Sequence, residues 1–310
     1  MIVDGPLISV VVCTYNRAKF LQDCLDSLVK QEYDNFEIIV VNGPSTDNTH
    51  EILGGFSVRV IQQTGKGGLS EARNIGIKNS KGEIIAFIDD DGVAEPNWLN
   101  ELAKIYGRDD IGSVGGKILP IWHGTKPDWY SDYLDSYLSL LNYSQERREM
   151  IFPDTPFGCN MSFRREIFDR IGLFNTSLGR CPSNLLSYDE TDLYHRLNET
   201  GYAVIYNPKA IVYHQIEASR LSKEWFRSRS YWNGVSAAIF DTISFGKLFL
   251  LKNMLRKITI TLPRKLYKYF EEKMKKNEKK LFIHQLSIFS IIGYVENGSS
   301  LIFKREKFFL

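Results

Sequence analysis

The sequence predicts an α/β protein: a doubly wound, mixed β-sheet followed by a helical, basic C-terminal extension. Short apolar runs alternate with segments of helical periodicity in the first third of the chain, and the C-terminal residues become basic and amphipathic. The chain has 310 residues, of which 43% are hydrophobic and 25% charged. This composition argues against a disordered, collagen-like or coiled-coil protein, and the length suffices to bury a substantial core.

Three apolar runs rich in Val and Ile predict strands that are buried on both faces, as is typical of parallel sheets. They are residues 7–13, 37–41 and 83–88. Between the first two, apolar residues at helical spacing predict a helix over residues 20–29, with Asn16 placed to cap its start. Strand, helix and strand in this order form a βαβ unit. The first half is completed by a strand at 58–61, a helix at 70–79 and a helix that opens near Pro96.

The pattern weakens in the second half of the chain. Tyr130, Tyr133 and Tyr137 lie three and four residues apart, which predicts one edge of a helix. The remaining predicted elements are strands at 114–118, 159–163, 203–206 and 211–214, and a helix at 189–200. We expect one domain over residues 1–218 and a helical extension over residues 219–310.

The C-terminal extension is basic. Residues 241–310 contain 15 Lys and Arg against six Asp and Glu, a balance of +9, so residues 1–240 carry −7 of the chain's net +2. Basic residues interleaved with Leu, Ile, Phe and Tyr are typical of a segment lying on an anionic membrane, and equally of a solvated helical bundle. No nucleic-acid-binding motif accompanies them, so no nucleic-acid partner is expected.

Expectations about location depend on cysteine spacing and on apolar segments. The four cysteines show no CxxC or CxxxC spacing, which favours neither a zinc site nor a disulfide framework. The N-terminus lacks the pattern of a secretory signal. The longest uncharged stretch near the C-terminus, residues 281–295, is shorter than the roughly 18 apolar residues of a spanning helix. We therefore expect a cytoplasmic protein, at the inner face of the membrane if the basic segment binds lipid.

An acidic triplet, Asp89, Asp90 and Asp91, directly follows the third apolar run. In open α/β sheets, ligands bind beyond the carboxyl ends of the strands. Three adjacent carboxylates repel one another, and Mg²⁺ and Mn²⁺ are commonly held by one or two carboxylates together with substrate phosphates. The triplet therefore indicates a divalent metal site, while a solvated acidic turn is the simpler alternative.

Polar residues follow other predicted elements at the same edge of the sheet. They are Thr14, Tyr15, Asn16 and Arg17 after the first strand, Asn42 to Asp47 after the second, the glycine-rich residues 65–68, and Arg73. Backbone N–H groups of glycine-rich loops bind anions, and an Arg at this position is suited to a diphosphate. The alternative is that Asn16 and Ser45 only cap helices and the glycines only form turns.

Six motifs in order, VVCTYNR, VVNGPSTDNT, GLSEARNIGI, GEIIAFIDDD, FGCNMSFRR and YDETDLYHRL, resemble those of family 2 glycosyltransferases. The resemblance covers about residues 7–214. It implies the GT-A fold, a nucleotide-diphospho-sugar donor, Mg²⁺ or Mn²⁺ as cofactor, and a glycan or lipid-linked acceptor. One departure is that Asn42-Gly43-Pro44-Ser45 stands where the family commonly has Asp-Asp-Gly-Ser, which puts a uridine preference in doubt.

The resemblance also implies roles for individual residues. The donor-binding set is Thr14, Tyr15, Asn16, Arg17, Asn42, Arg73, Asp89 and Asp90, with Asp89 at the ribose. Asp91 would hold the metal, and His214 would complete its coordination, although a single His is often structural. Gly158, Asn160 and Trp129 would contact the acceptor, although Trp129 is equally typical of a core aromatic.

The resemblance places the general base at Glu190, with Asp189 as a neighbour that is able to exchange roles with it. The alternative at this position is a capping box, in which Ser187 caps a helix and Glu190 reaches back to its N–H. The predicted function is inverting, metal-dependent sugar transfer. Two alternatives stay open: a nucleotidyltransferase on a similar scaffold, which would release pyrophosphate, and a catalytically silent nucleotide- or sugar-binding module.

Overall fold

The computed structural model describes residues 5–65 and 67–303, so Lys66 of the glycine-rich loop and the last basic residues lie outside the described part. The chain divides into two compact units. The sheet unit contains the described residues of Met1–Ile121, Ser139–Asn175 and Leu193–Ile216. The helical unit contains those of Trp122–Leu138, Thr176–Asp192 and Glu217–Leu310. Two stretches that precede residue 218 therefore group with the C-terminal helices.

One half of the sheet is parallel, as the apolar runs predict. Its strands are β1 (Ile8–Thr14), β2 (Phe36–Asn42), β3 (Arg59–Gln62) and β4 (Ile84–Asp89), in the spatial order β3-β2-β1-β4. The helices between them are α1 (Ala18–Leu28), α2 (Thr49–Gly54) and α3 (Gly68–Asn79). Val10, Val12 and Ile39 are fully buried, because helices cover both faces of a sheet of this kind.

The other half of the sheet is antiparallel. Its strands are β5 (Gly92–Ala94), β6 (Ile111–Trp122), β7 (Arg148–Glu149), β8 (Met161–Arg164) and β9 (Ala203–Ile216), which continue the order from β4 as β8-β6-β9-β5, with β7 beside β9. The helices here are α4 (Trp98–Ala103), α5 (Arg165–Ile171) and α6 (Asp189–Asn198). The described strands thus form the mixed sheet that the sequence predicts.

β9 is one long strand where the sequence predicts two, at 203–206 and 211–214. The polar residues between them suggest a turn, but Asn207 is buried and its amide donates to the Glu101 carbonyl at 2.9 Å. This tertiary contact satisfies the buried amide, so the strand continues through Asn207 and Pro208.

The start of α1 differs from the prediction that Asn16 caps it. Asn16 has a left-handed backbone (φ 53°), and its Oδ1 accepts a hydrogen bond from the Thr46 N–H at 2.7 Å. The N–H of Ala18 donates instead to Oδ2 of Asp47 at 3.0 Å. A carboxylate from the next loop therefore satisfies this helix terminus, where negative charge is favourable.

The C-terminal extension is helical, as predicted. It contains a 3₁₀ turn (Ala218–Leu221), α7 (Lys223–Arg256), a π-helical turn (Lys257–Thr261), α8 (Leu262–Met274) and α9 (Glu278–Phe303). α7 is interrupted at Gly246, which has φ 82°. A Cβ atom on Gly234 would lie 1.9 Å from the Ser290 carbonyl, and one on Gly293 would lie 2.1 Å from the Tyr231 carbonyl. α7 and α9 thus pack backbone against backbone at these two glycines.

Two helical stretches of the described chain are long and apolar enough to cross a membrane by length and composition. Lys223–Met274 and Glu278–Phe303 contain 18-residue windows with mean hydropathies of 1.4 and 1.3, each 33% buried. Our expectation of no spanning segment counted uninterrupted apolar residues and missed these windows. Core helices of soluble proteins pass the same test, so the finding gives only weak support for a membrane association.

The tyrosines 130, 133 and 137 do not form one helix edge. Tyr133 and Tyr137 lie in a 3₁₀ helix, Asp132–Leu138, and Tyr130 precedes it. Tyr130 and Tyr137 pack edge-to-face on Phe226 of α7, with ring centroids 6.1 and 5.9 Å away. Aromatic packing, not α-helical periodicity, explains the positions of Tyr130 and Tyr137, whereas Tyr133 is 60% exposed.

Candidate active site

The acidic triplet lies at the carboxyl end of β4, and β9 brings a histidine to it. Gly92 of β5 pairs with His214 of β9, so His214 lies beside Asp91. Nε2 of His214 is 3.1 Å from Oδ1 of Asp91, and both side chains are about 95% buried. The sheet register therefore brings together the two residues that the sequence predicts as metal ligands.

Arg17 contacts two carboxylates of the triplet. Its Nη2 donates to Oδ2 of Asp91. Its Nε lies 3.6 Å from Oδ1 of Asp90. The guanidinium also lies 4.7 Å from the ring centroid of Phe20. Arg17 thus supplies positive charge to a cluster whose like charges would otherwise repel one another.

The pKa of Asp90 reflects the repulsion between the carboxylates of the triplet. Burial and repulsion from Asp91 raise the pKa of Asp90 to about 7, although Arg17 acts in the opposite direction. A second cation near Asp91 would favour the ionised form of both carboxylates. The triplet therefore has the electrostatic character of a cation site.

Asp89 is the most exposed carboxylate of the triplet and is paired with Arg73 of α3. Nη2 of Arg73 lies 3.3 Å from Oδ1 of Asp89, whose side chain is 31% exposed. Arg73 itself is 2% exposed, and its guanidinium lies 5.5 Å from the ring centroid of Phe174. Phe174 is a neighbour that sequence reasoning missed, because nothing in the local pattern links it to α3.

The loops after β1 and β2 are joined by hydrogen bonds. The Asn16 N–H donates to Oγ of Ser45 at 3.0 Å, and Ser45 Oγ donates to Oδ1 of Asn42 at 2.8 Å. Gly43 packs closely on Tyr15, because a Cβ there would lie 3.0 Å from the Tyr15 ring. The structure brings the loop residues to one edge, but as parts of a bonded network. Neither Asn16 nor Ser45 caps a helix.

Asn42 does not present a free amide at this edge. It is fully buried, its Oδ1 accepts from Ser45, and its Nδ2 donates to Oε1 of Gln62 at 3.3 Å. The bond from Ser45 fixes the orientation of the amide. Asn42 therefore acts through the shape of the loop.

The side chains at the triplet are suitable ligands for a divalent cation. The described residues contain no group of three or more His, Cys, Asp and Glu side chains arranged to hold a metal. Asp91 and His214 offer an oxygen and a nitrogen ligand side by side. Mg²⁺ and Mn²⁺ are commonly bound by one or two carboxylates, with substrate phosphates and water as the remaining ligands, so a pair of protein ligands suffices.

The predicted acceptor residues Gly158 and Asn160 lie in a buried 3₁₀ turn, Gly158–Asn160. Asn160 is fully buried. Its Oδ1 accepts from Trp98 Nε1 at 2.9 Å, and its Nδ2 donates to the carbonyls of Lys117 and Ala210 at 3.0 and 2.9 Å. Both N–H groups of the Asn160 amide are used within the fold, and its contact with an acceptor stays a prediction.

In the helical unit, Asp189 and Glu190 begin α6 after a strained residue. Tyr188 has φ 73°, an uncommon conformation for a bulky residue and one that concentrates at functional sites. The hydrogen bonds here do not match the capping box that the sequence left open as the alternative. The helix begins at Asp189, and the Ser187 N–H donates to Oγ of Ser236 at 3.0 Å instead of to Glu190.

Trp129 belongs to an aromatic cluster of the helical unit. Its ring centroid lies 5.7 Å from that of Phe226 and 5.1 Å from that of Phe282, and Nζ of Lys223 lies 5.8 Å away. This packing agrees with the core alternative that the sequence left open. The rest of the predicted set remains a prediction.

Parts of this chain match a family model and proteins of other organisms. The family model described as Glycosyl transferase family 2 matches residues 9–172. Glucosyl-dolichyl phosphate glucuronosyltransferase of Haloferax volcanii is 29% identical over 246 residues, which are 76% of this chain and 78% of that protein. Glycosyltransferase GlyG of Streptococcus pneumoniae is 45% identical over 115 residues, 36% of this chain and 38% of that protein.

Solved structures share the fold. Mannosyltransferase PcManGT from Pyrobaculum calidifontis, in complex with GDP-Man and Mn²⁺, superposes with a TM-score of 0.65 at 18% identity, covering 97% of this chain and 88% of that chain. Residues 1–349 of S. aureus TarS, in complex with UDP, give 0.52 at 18% identity, covering 96% and 91%. The expected GT-A fold is therefore confirmed. Because the family model matches more than half of the chain, this protein belongs to glycosyl transferase family 2 and is a glycosyltransferase.

Proposed function

We propose that this glycosyltransferase is an inverting, metal-dependent enzyme that transfers a sugar from a nucleotide-diphosphate donor to a lipid-linked or glycan acceptor. The observation that carries the proposal is the pairing of Asp91 with His214 at the carboxyl end of β4. Ligands of open α/β sheets bind at this end of the strands.

The donor is assigned to the edge formed by Asp89, Asp90, Arg73 and the loop after β1, residues 14–17. Asp89 is exposed enough to accept hydrogen bonds from a ribose, and its Oδ1 lies 3.3 Å from Nη2 of Arg73. The GDP-Man and UDP in the named complexes of PcManGT and TarS support a nucleotide-sugar donor. Asn42 contributes by fixing the loop next to this edge.

Asp91 and His214 would hold Mg²⁺ or Mn²⁺. When bound, such an ion neutralises the negative charge that develops on the leaving diphosphate. The Mn²⁺ in the PcManGT complex supports this assignment. Arg17, which donates to the other oxygen of Asp91, orients this carboxylate.

The transfer step needs a base at the acceptor. The acceptor hydroxyl oxygen attacks C1 of the donor sugar, and its proton passes to Glu190. The bond between C1 and the β-phosphate oxygen breaks, and its electron pair leaves with the nucleoside diphosphate. A single displacement of this kind inverts the anomeric centre, and general-base catalysis contributes about 10²–10⁴-fold to the rate. Asp189 is 2% exposed, which favours Glu190 as the residue that meets the acceptor.

The acceptor is assigned to a lipid-linked class on two grounds. The Haloferax volcanii relative is named for a glucosyl-dolichyl phosphate. The helical unit exposes apolar side chains between residues 243 and 274, including Leu248 at 67% and Met274 at 81%. Exposed apolar residues among lysines are typical of an interfacial segment, so we place the enzyme on the cytoplasmic face of the membrane.

A thermal-shift screen tests the donor site. The protein is heated with UDP, GDP, dTDP, CDP or CMP, each with Mn²⁺ or with EDTA. A ligand that binds the native state raises its apparent stability. We expect one nucleoside diphosphate to raise the melting temperature with Mn²⁺ and much less with EDTA. No shift with any nucleotide would favour a silent binding module, and an equal shift with EDTA would argue against the metal.

A further inference from the structure

Arg229 of α7 is a buried cation with an unpartnered donor. The residue is 9% exposed, and its Nη1 donates to the Leu185 carbonyl at 2.8 Å. Its Nε is buried and has no hydrogen-bond partner. A buried charged donor without a partner is costly, and an anion that reaches the guanidinium would remove this cost.

The surroundings of Arg229 are rich in charge. The pKa of Arg229 is lowered to about 10, first by burial and then by repulsion from Arg180, with a smaller contribution from Arg220. Glu190 and Asp189 act in the opposite direction. Arg180, Arg220 and the two acidic residues at the start of α6 therefore each lie within electrostatic range of Arg229 in the helical unit.

Hydrogen bonds fix the loop before α6 on the face of α7 that carries Arg229. Arg229, Asn233 and Ser236 lie four and three residues apart and so share one face of the helix. Ser187 Oγ donates to Oδ1 of Asn233 at 3.2 Å, and the Ser187 N–H donates to Ser236. The same loop carries Arg180 and leads into Asp189 and Glu190. The loop that leads into the proposed base is thus held on the helix face that carries Arg229, within electrostatic range of its guanidinium.

We propose that Arg229, with Arg180 and Arg220, binds a phosphate group of the acceptor next to Glu190. This inference rests on the proposed function and deepens it by naming the acceptor chemistry. Nε and Nη2 of a guanidinium form a fork that matches two phosphate oxygens, and Nη1 of Arg229 is already used by Leu185. The exposed apolar residues of the same unit favour a lipid phosphate as the source of this group.

Binding of three probes separates the sources of a phosphate. The wild-type chain, in detergent micelles, is titrated calorimetrically with farnesyl phosphate, farnesol and inorganic phosphate. We expect farnesyl phosphate to bind at least tenfold more tightly than either of the others. Equal binding of farnesol would overturn phosphate recognition, and equal binding of inorganic phosphate would overturn the lipid source.

Substitution of Arg229 tests the residue, with a matched control on the same helix. Arg229→Gln should weaken farnesyl phosphate binding at least tenfold, and Arg229→Lys should have an intermediate effect because it keeps the charge but loses the fork. Arg227→Gln is the control, because Arg227 is bonded to Glu224 and Gln285 instead. An equal loss in Arg227→Gln would overturn the assignment.

Melting temperature distinguishes ligand binding from a structural tether. Gln can still donate to the Leu185 carbonyl and removes a buried charge, so we expect Arg229→Gln to melt at or above the wild-type temperature while losing phosphate binding. A lower melting temperature with unchanged phosphate affinity would assign Arg229 to the fold alone.

Donor binding is measured in the same variants, so that the two proposals fail separately. We expect the metal-dependent shift with a nucleoside diphosphate to be the same in Arg229→Gln and in wild type. If wild type shows no such shift, the proposed function fails. If the shift is lost only in Arg229→Gln, the arginine serves the donor diphosphate, and the acceptor assignment is overturned.

Discussion

At the scale of single residues, each carboxylate at the carboxyl end of β4 lies beside a basic side chain. Arg17 contacts Asp90 and Asp91, Arg73 contacts Asp89, and His214 contacts Asp91. Burial strengthens these electrostatic contacts, because water would screen the same charges. Because the three carboxylates differ in their partners, a substitution at each one tests a different set of contacts.

Replacing Asp91 tests the metal ligand. We expect Asp91→Asn to fold, because the change reduces repulsion within the triplet and leaves Arg17 next to Asp90. Calorimetric titration should show that Mn²⁺ no longer strengthens nucleoside diphosphate binding, with a loss of tenfold or more. Asp34→Asn, at an exposed position, is the control. A full metal effect in Asp91→Asn would remove Asp91 from the metal site.

Replacing Glu190 tests the base. We expect Glu190→Gln to bind the donor as wild type does and to lose about 10²–10⁴-fold in transfer rate, because the amide cannot accept the acceptor's proton. Glu199→Gln, at an exposed position just beyond α6, is the matched control. If Glu190→Gln is fully active and Asp189→Asn is inactive, the base is Asp189.

Sequence reasoning located the triplet and Arg73 because strand ends in a predicted parallel sheet converge on one edge. His214 was expected only from the resemblance to family 2 glycosyltransferases. Sequence reasoning could not assign Asn160 or the start of α1. Both depend on tertiary hydrogen bonds, from Trp98 to Asn160 and from Ala18 to Asp47, whose partners are distant in sequence. The sequence did not predict a role for Arg229, because one arginine in a basic segment resembles its solvated neighbours.

At the scale of elements, the sheet register and the helix contacts place residues that local patterns cannot. The pairing of β5 with β9 brings His214 to Asp91, although 123 residues separate them in the chain. The capping-box alternative at Ser187 is disfavoured because Ser236 accepts the N–H that the box requires. Periodicity predicted α1, α3 and the parallel strands well, because their apolar faces are set by burial alone.

Backbone contact between α7 and α9 predicts a sensitive position. Gly234→Val should destabilise the protein by about 1–3 kcal/mol or more, because the added side chain would meet the Ser290 carbonyl. Urea unfolding followed by circular dichroism measures the change. Gly54→Ala, a helical glycine with open space around it, should be neutral or stabilising. Equal stability of Gly234→Val and wild type would contradict the close contact.

At the scale of the whole molecule, charge and exposed apolar surface are unevenly distributed along the chain. Residues 1–240 carry −7 and residues 241–310 carry +9. The same C-terminal region contains exposed residues such as Leu248, Leu255, Tyr267 and Phe270. A basic and apolar surface binds anionic lipid through its positive charge and through its apolar side chains. An acidic segment is repelled by the same lipid.

Vesicle sedimentation tests the membrane proposal. We expect the protein to sediment with vesicles containing anionic lipid, less with neutral vesicles, and less again at high salt. Leu248→Ser combined with Leu255→Ser should reduce the bound fraction several-fold, because both side chains are exposed, at 67% and 54%. Ile151→Ser, at a 73% exposed position of the sheet unit, should leave it unchanged. Equal binding by all three proteins would place the contact elsewhere.

Analysis of the reaction products distinguishes metal-dependent sugar transfer from nucleotidyl transfer. The protein is incubated with Mn²⁺, a lipid extract and the nucleotide-sugar whose nucleotide gives the largest thermal shift, and the reaction is followed by phosphorus NMR. Our account predicts a nucleoside diphosphate as the released product, a new sugar in the lipid fraction, and neither when Mn²⁺ is chelated. Release of pyrophosphate, or turnover unaffected by chelation, would contradict it.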